Sequence, residues 1–160
     1  MKTNKLTALI LILLFTASPV AFALDVVTSS NPGYEERVVQ LVNAERAKAG
    51  LDALYMDNKI SDVARVKSKD MADLNYFDHY SPTYGMANDM LLRFGINYSA
   101  WGENIASGQD TPELVVYEWM NSPTHRANIL SPYFTFIGVG YYVNSYGTPF
   151  WTQMFIGDDK

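Results

Sequence analysis

The chain contains only two histidines, His79 and His125. His79 lies in the aromatic, turn-rich segment NYFDHYSPTY, residues 75–84. His125 follows Ser122-Pro123, where one helix must break and the start of the next can orient the imidazole. Glu103 stands in a Gly-Glu-Asn triplet inside the small and apolar stretch WGENIASG, residues 101–108. A carboxylate in such surroundings is costly to bury unless it is paired, and a histidine partner would pair it. These three residues therefore point to one shared His–Glu–His site. The chain has no cysteine, so disulfides, thiolate metal sites and a cysteine nucleophile are excluded. A serine nucleophile would need a nearby histidine held by a third group. Ser81 is two residues after His79 and Ser122 three before His125, yet neither lies in a nucleophile elbow, and there is no HExxH pair.

The elements that must position these residues are legible in the capping and periodicity. Asn31-Pro32 starts a helix over residues 32–49, with Tyr34, Val38, Leu41 and Val42 at helical spacing and Gly50 as the stop. Residues 51–56 read as a link. Asp57 caps a second helix reaching Leu74, with Ile60, Val63, Ala64, Met71 and Leu74 on one stripe. A third, short helix carries Ala87, Met90, Leu91 and Phe94. Residues 96–108 read as a strand or extended loop. Thr111-Pro112-Glu113 opens a fourth helix through Val115, Val116 and Trp119, and a last helical turn or two runs from His125 to Leu130. The C-terminal third changes period. Residues 136–143 and 150–156 alternate as strands, joined by a turn at 144–148. Ile137, Val139 and Tyr141 fall on one face of the first of these strands, Gly138 and Gly140 on the other. Helices first and strands last predict an α+β layered domain.

The first residues read as an address. Lys2 and Lys5 precede an apolar run from Leu6 to Phe15, and Ala21-Phe22-Ala23 is a small-residue cleavage pattern, the order of a secretory signal peptide over residues 1–23. The run is short of the roughly 20 apolar residues that span a bilayer, and no later stretch is apolar enough for a transmembrane helix. With 12 basic against 17 acidic residues, the chain lacks the clustered positive charge that phosphate binding needs, so nucleic acid is excluded as a partner. The 22 aromatic residues (3 Trp, 11 Tyr, 8 Phe) argue for a packed core and against a disordered tail.

Three segments, YFDHYSPTYG (76–85), WGENIASG (101–108) and WMNSPTHRANILSPYFTFIGVGYY (119–142), together resemble the CAP superfamily. Its domain is also called the SCP domain, and its members include cysteine-rich secretory proteins, antigen 5 and plant pathogenesis-related 1 proteins. The helix-one sequence VVQLVNAERAKAGLDAL is similar to the start of small prokaryotic members. The resemblance implies a three-layer α-β-α sandwich with a central antiparallel sheet. It divides the chain into a signal peptide (1–23), a short leader (24–34) and one CAP/SCP domain (35–157). It also implies a cleft lined by His79, Glu103 and His125. Glu118 is a further candidate, preceding Trp119 where many animal and plant members place a second glutamate one turn after the tryptophan. His79, His125 and Glu103 could together hold Zn²⁺ or another divalent cation, or form a hydrogen-bonded lock with no ion. Asn104 is expected to orient the Glu103 segment, Asn128 to satisfy backbone groups in the last helical turn, and Trp101 and Trp119 to anchor the core. By this resemblance the protein is a secreted, non-enzymatic binding module for an extracellular ligand: a lipid, a cell-wall component or a protein. The alternative is a secreted, protease-like hydrolase using the same cleft.

Overall fold

A computed structural model of the chain describes residues 30–158, so the signal segment and all but the end of the leader lie outside the described residues. The element order is α1 (Pro32–Lys48), β1 (Tyr55–Met56), α2 (Asn58–Leu74), α3 (Ala87–Arg93), β2 (Trp101–Ser107), α4 (Pro112–Asn121), α5 (Pro123–Ile129), β3 (Phe136–Val143) and β4 (Pro149–Ile156). Because α1 begins at Pro32, the last three residues of the expected leader form its first turn. Side-chain caps start the long helices. Asn31 Oδ1 accepts from Tyr34 N–H at 3.2 Å, and Asp57 Oδ1 accepts from Lys59 and Ile60 N–H at 2.8 and 3.0 Å. Each such cap is worth about 1 kcal/mol. Asn75, in the left-handed region at φ 53°, ends α2 and turns the chain into the His79 loop.

The sheet order is β1-β3-β4-β2. The pairs β2–β4 and β3–β4 are antiparallel. The link at residues 51–56 contributes something its composition did not announce: β1 adds to β3 in parallel through Tyr55 and Met56, so a two-residue parallel strand edges an otherwise antiparallel sheet. Period-2 alternation then separates two cores. Ile137, Val139, Trp151 and Phe155 face α1, α4 and α5, packing against Val38, Val42, Val115, Trp119 and Ile129. Met154 and Ile156 face α2 and α3, among Ile60, Val63, Ala64, Met90 and Leu91. The result is the expected α-β-α sandwich.

On the second face α2 lies almost on the sheet backbone. A Cβ at Gly138 would sit 2.3 Å from the Ile60 carbonyl carbon, and one at Gly140 2.2 Å from that of Ala64. Only glycine allows this approach, and it brings the inward stripe of α2 against β3 and β4. Ser68 Oγ exploits the closeness, donating to Gly140 O at 3.0 Å and pairing with Thr152 Oγ1 at 2.9 Å.

Two buried charges brace the layers. Glu35 on α1, fully buried, accepts from Arg65 on α2 (2.6 Å to Nη2) and from Tyr141 N–H (3.1 Å). Arg46 donates to the carbonyls of Asp52, Ile129 and Ser131 at 2.7–2.8 Å, clamping the end of α1 to the exit of α5. Burial lowers the pKa of this guanidinium, with the charge of Asp52 acting in the opposite direction. Trp101, expected as a core anchor, is instead 38 % exposed. It opens the edge strand β2, where no further strand covers it.

Candidate functional site

β2 is the edge strand beside which the site is built. Its Glu103 lies in register with Met154 and so faces α2. The carboxylate is nearly sealed, with its side chain 2 % exposed, while that of His79 is 47 % exposed. His79 Nδ1 stands 2.6 Å from Glu103 Oε1. A carboxylate only accepts, so the imidazole carries its proton on Nδ1 and donates. This hydrogen bond raises the His79 pKa above its ordinary 6.5, against the opposing effect of burial. The expected pairing of a buried Glu103 with a histidine is thus present. Glu103 Oε2 is buried and has no hydrogen-bond partner among the described residues.

His125, on α5, is half-buried. Desolvation lowers its pKa below 6.5, and repulsion from His79 lowers it further, so the two histidines are electrostatic neighbours with opposite tendencies. Side chains tie the α5 backbone to β2. Asn104 Nδ2 donates to His125 O at 3.1 Å and to Gln153 Oε1 at 3.0 Å. Asn128 Nδ2 donates to Glu103 O at 3.0 Å and to Asn104 Oδ1 at 2.9 Å. Asn128 therefore bridges to the edge strand and is not confined to satisfying its own helical turn. Trp119 is buried, as expected, and its Nε1 donates to Ile105 O at 3.1 Å. The outward carbonyls of Glu103 and Ile105 are therefore capped by side chains, which blunts the open edge of the sheet.

A groove of about 290 Å³ runs along this edge, lined among others by Phe77, Ser107, Gln109, Glu118, Ser122 and His125. Larger hollows lie between α2 and the β3–β4 turn, beside Arg46 and between α1 and α4, and none of the three is lined by a histidine. Glu118 reaches the groove from α4 as an exposed rim residue, its Oε2 accepting from Gln109 Nε2 at 2.5 Å. It does not bond to either histidine. Neither candidate serine does so. Ser81 Oγ donates to Asp70 at 2.7 Å, and Ser122 Oγ pairs with Thr124 Oγ1 at 3.2 Å. Among the described residues, no three His, Cys, Asp or Glu side chains come together closely enough to hold a metal ion. Glu103 Oε1 is already committed to His79, and Oε2 is sealed from solvent.

The His79 loop is held from beneath by two α2 residues that the motifs did not single out. Asp70 accepts from Tyr76 Oη (2.6 Å), Ser81 Oγ (2.7 Å) and Thr83 Oγ1 (2.7 Å). Burial works to raise its pKa, but these three bonds outweigh it and hold the carboxyl below its usual range. Lys67, fully buried, donates from Nζ to His79 O at 2.7 Å. Lys67 falls on the buried α2 stripe with Ile60, Ala64, Ser68 and Met71, and Asp70 is half-buried beside it. A lysine interrupting an apolar stripe at a core position was the available signal.

The chain matches the CAP family, described as the cysteine-rich secretory protein family, over residues 39–155. The uncharacterized protein YkwD of Bacillus subtilis is 58 % identical over 129 residues, which is 81 % of this chain and 49 % of YkwD. The uncharacterized membrane protein YlbC of the same organism is 37 % identical over 106 residues, 66 % of this chain and 31 % of YlbC. Among solved structures, an extracellular SCP-domain protein from Bacillus anthracis superposes with a TM-score of 0.75 at 38 % identity, covering 79 % of this chain and 41 % of that one. An outer surface protein from Borrelia burgdorferi shares the fold, with a TM-score of 0.72 at 18 % identity over 78 % of this chain and 92 % of that one. The chain thus spans half or less of its Bacillus relatives. Cysteine-free though it is, it belongs to the cysteine-rich secretory protein (CAP) family.

Proposed function

We propose that this chain is a secreted, non-enzymatic binding module that takes an extracellular ligand in the cleft of His79, Glu103 and His125. The ligand is a lipid, a cell-wall component or a protein. The observation that carries the reading is that, while the His79–Glu103 bond holds the imidazole through Nδ1, no hydroxyl among the described residues is hydrogen-bonded to either histidine to serve as a nucleophile. A hydrolase of the serine type would need that contact. Secretion is supported by the Lys2/Lys5, apolar-run and Ala-Phe-Ala order of the N-terminus. The extracellular relative of Bacillus anthracis fits the same reading.

A divalent cation held by His79, His125 and Glu103 would require the side chains to move, because among the described residues the three do not stand as a ready ligand set. We therefore assign the His79–Glu103 pair a hydrogen-bonded resting state, with His125 as its electrostatic neighbour on α5. The test is binding of the purified protein to cell-wall sacculi and to phospholipid vesicles, with a parallel calorimetric titration of Zn²⁺. All three measurements are made on wild type, His79→Ala and His125→Ala. Binding to one of these probes that is lost in both folded variants supports the reading. Peptide or ester turnover abolished by the same substitutions would overturn it in favour of the hydrolase.

A further inference from the structure

We infer that Lys67 is a positioning residue of the His79–Glu103 pair, anchoring His79 through its main-chain carbonyl and serving as the buried countercharge of Glu103. The inference rests on taking that pair as the site. Lys67 is 0 % exposed. A buried ammonium has three N–H donors to satisfy, and the one acceptor found for it among the described residues is His79 O, at 2.7 Å. Its stem passes the Tyr76 ring, with Nζ 5.3 Å from the centroid. Asp70, one turn along α2, is committed to Tyr76, Ser81 and Thr83. The two α2 residues therefore divide the loop between them, Asp70 holding its flanks and Lys67 its centre.

Pinning the carbonyl of a residue anchors its peptide plane and with it the Cα, which limits where the side chain can start. With His79 O drawn towards α2, the imidazole reaches Glu103 Oε1 at 2.6 Å. The other half of the inference concerns charge. Glu103 is sealed and its Oε2 has no donor, an arrangement that is costly without nearby positive charge. Lys67 supplies it. Burial lowers the lysine's own pKa, while the charges of Glu103, then Asp70 and Asp78, act to keep it protonated. Glu103 is the leading charge partner in that set. A neutral donor at this place would hold the loop and leave the carboxylate with His79 alone as its partner.

Lys67→Met keeps the length of the stem and removes both the donor and the charge. Nuclear magnetic resonance of the wild type is expected to show a downfield Nδ1–H signal from His79, as a short charge-assisted bond produces. In Lys67→Met that signal is lost. Amide exchange near His79 rises about tenfold or more while the amides of Thr83 and Tyr84, which donate to the Asp70-bound Ser81 Oγ, stay protected, and Tm falls by about 5–10 °C. The double variant Lys67→Met/Glu103→Gln removes the unpaired charge and is expected to regain Tm relative to Lys67→Met, which a packing role alone would not produce. If Lys67→Met does not fold, the double variant still folds under the inference. An unchanged His79 signal in Lys67→Met overturns it, as does a double variant that is no more stable than the single one. These measurements involve no ligand, so a protein that binds nothing in the cleft overturns the binding function and leaves the positioning role standing.

Discussion

Asn128 Nδ2 donates to the main-chain oxygen of Glu103 at 3.0 Å, so the residue whose carboxylate holds His79 is itself held through its backbone by α5. Glu103 is the joint of the site. Its side chain reaches the α2 layer and its carbonyl the α4–α5 layer, and the edge strand makes both contacts available. Helices from opposite sides of the sandwich thereby meet at one residue.

The two histidines should titrate in opposite directions from 6.5. Glu103 favours the His79 imidazolium, so His79 loses its proton above that value; desolvation and the charge of His79 disfavour the His125 imidazolium, so His125 gains its proton below it. The linkage follows. The contribution of His79 to stability is fully present below the unfolded pKa and is lost as pH rises through its higher folded pKa. That of His125 is present above the unfolded pKa and is lost as pH falls through its lower folded pKa. Resonance titration of the two rings tests this directly. Coincident midpoints, or His125 titrating above His79, would rule it out.

Asn128→Leu should remove two donations at once, leaving Glu103 O and Asn104 Oδ1 without their donor. An orphaned, partly buried acceptor costs about 1–3 kcal/mol, so a loss of about 2 kcal/mol in urea denaturation is expected. The His125 resonance should broaden as α5 loosens from β2. A variant as stable as wild type would mean that these bonds are replaced by water at no cost.

The sequence disclosed the site where chemistry and local rules agree. Asn31-Pro32, Asp57 and Thr111-Pro112 are caps that act within a few residues, and they mark three helix starts. Glu103 was legible as a buried acid in need of a histidine because its neighbours are apolar. The missing parts are long-range. Arg46 and Glu35 carry no local signal and Lys67 only its place on an apolar stripe; tertiary packing shows that each is buried against carbonyls or an opposite charge. The pairing of β1 depends on β3, some 80 residues away. Trp101 has the composition of a core residue but sits at the start of an edge strand, where burial is one-sided.

Two glycine substitutions should have opposite signs. Gly140→Ala places a Cβ 2.2 Å from the Ala64 carbonyl carbon and 2.3 Å from Arg65 N, both backbone atoms of α2. The helix must move off the sheet, at a cost of about 3 kcal/mol or more. Gly33→Ala, in the first turn of α1, meets only Asn31 Oδ1 at an ordinary 3.5 Å and should stabilise by up to about 1 kcal/mol through helix propensity and a more restricted unfolded chain. Thermal unfolding of both variants decides. Tolerance of Gly140→Ala would show that α2 does not rest on the β3 backbone.

Breaking the Glu35–Arg65 pair should be asymmetric. Glu35 is 0 % exposed, whereas the Arg65 side chain is 28 % exposed. Arg65→Met leaves a sealed carboxylate with Tyr141 N–H as its remaining donor, and an uncompensated buried charge costs about 3–5 kcal/mol. Glu35→Gln keeps the shape and the acceptor for Tyr141, and it releases a guanidinium that can reach water and still pair with Asp62. Its cost should be about 1–2 kcal/mol, with solvent screening reducing what the lost attraction is worth. Urea denaturation of the two single variants measures the difference. A larger loss in Glu35→Gln than in Arg65→Met would place the burden on the arginine and contradict the burial argument.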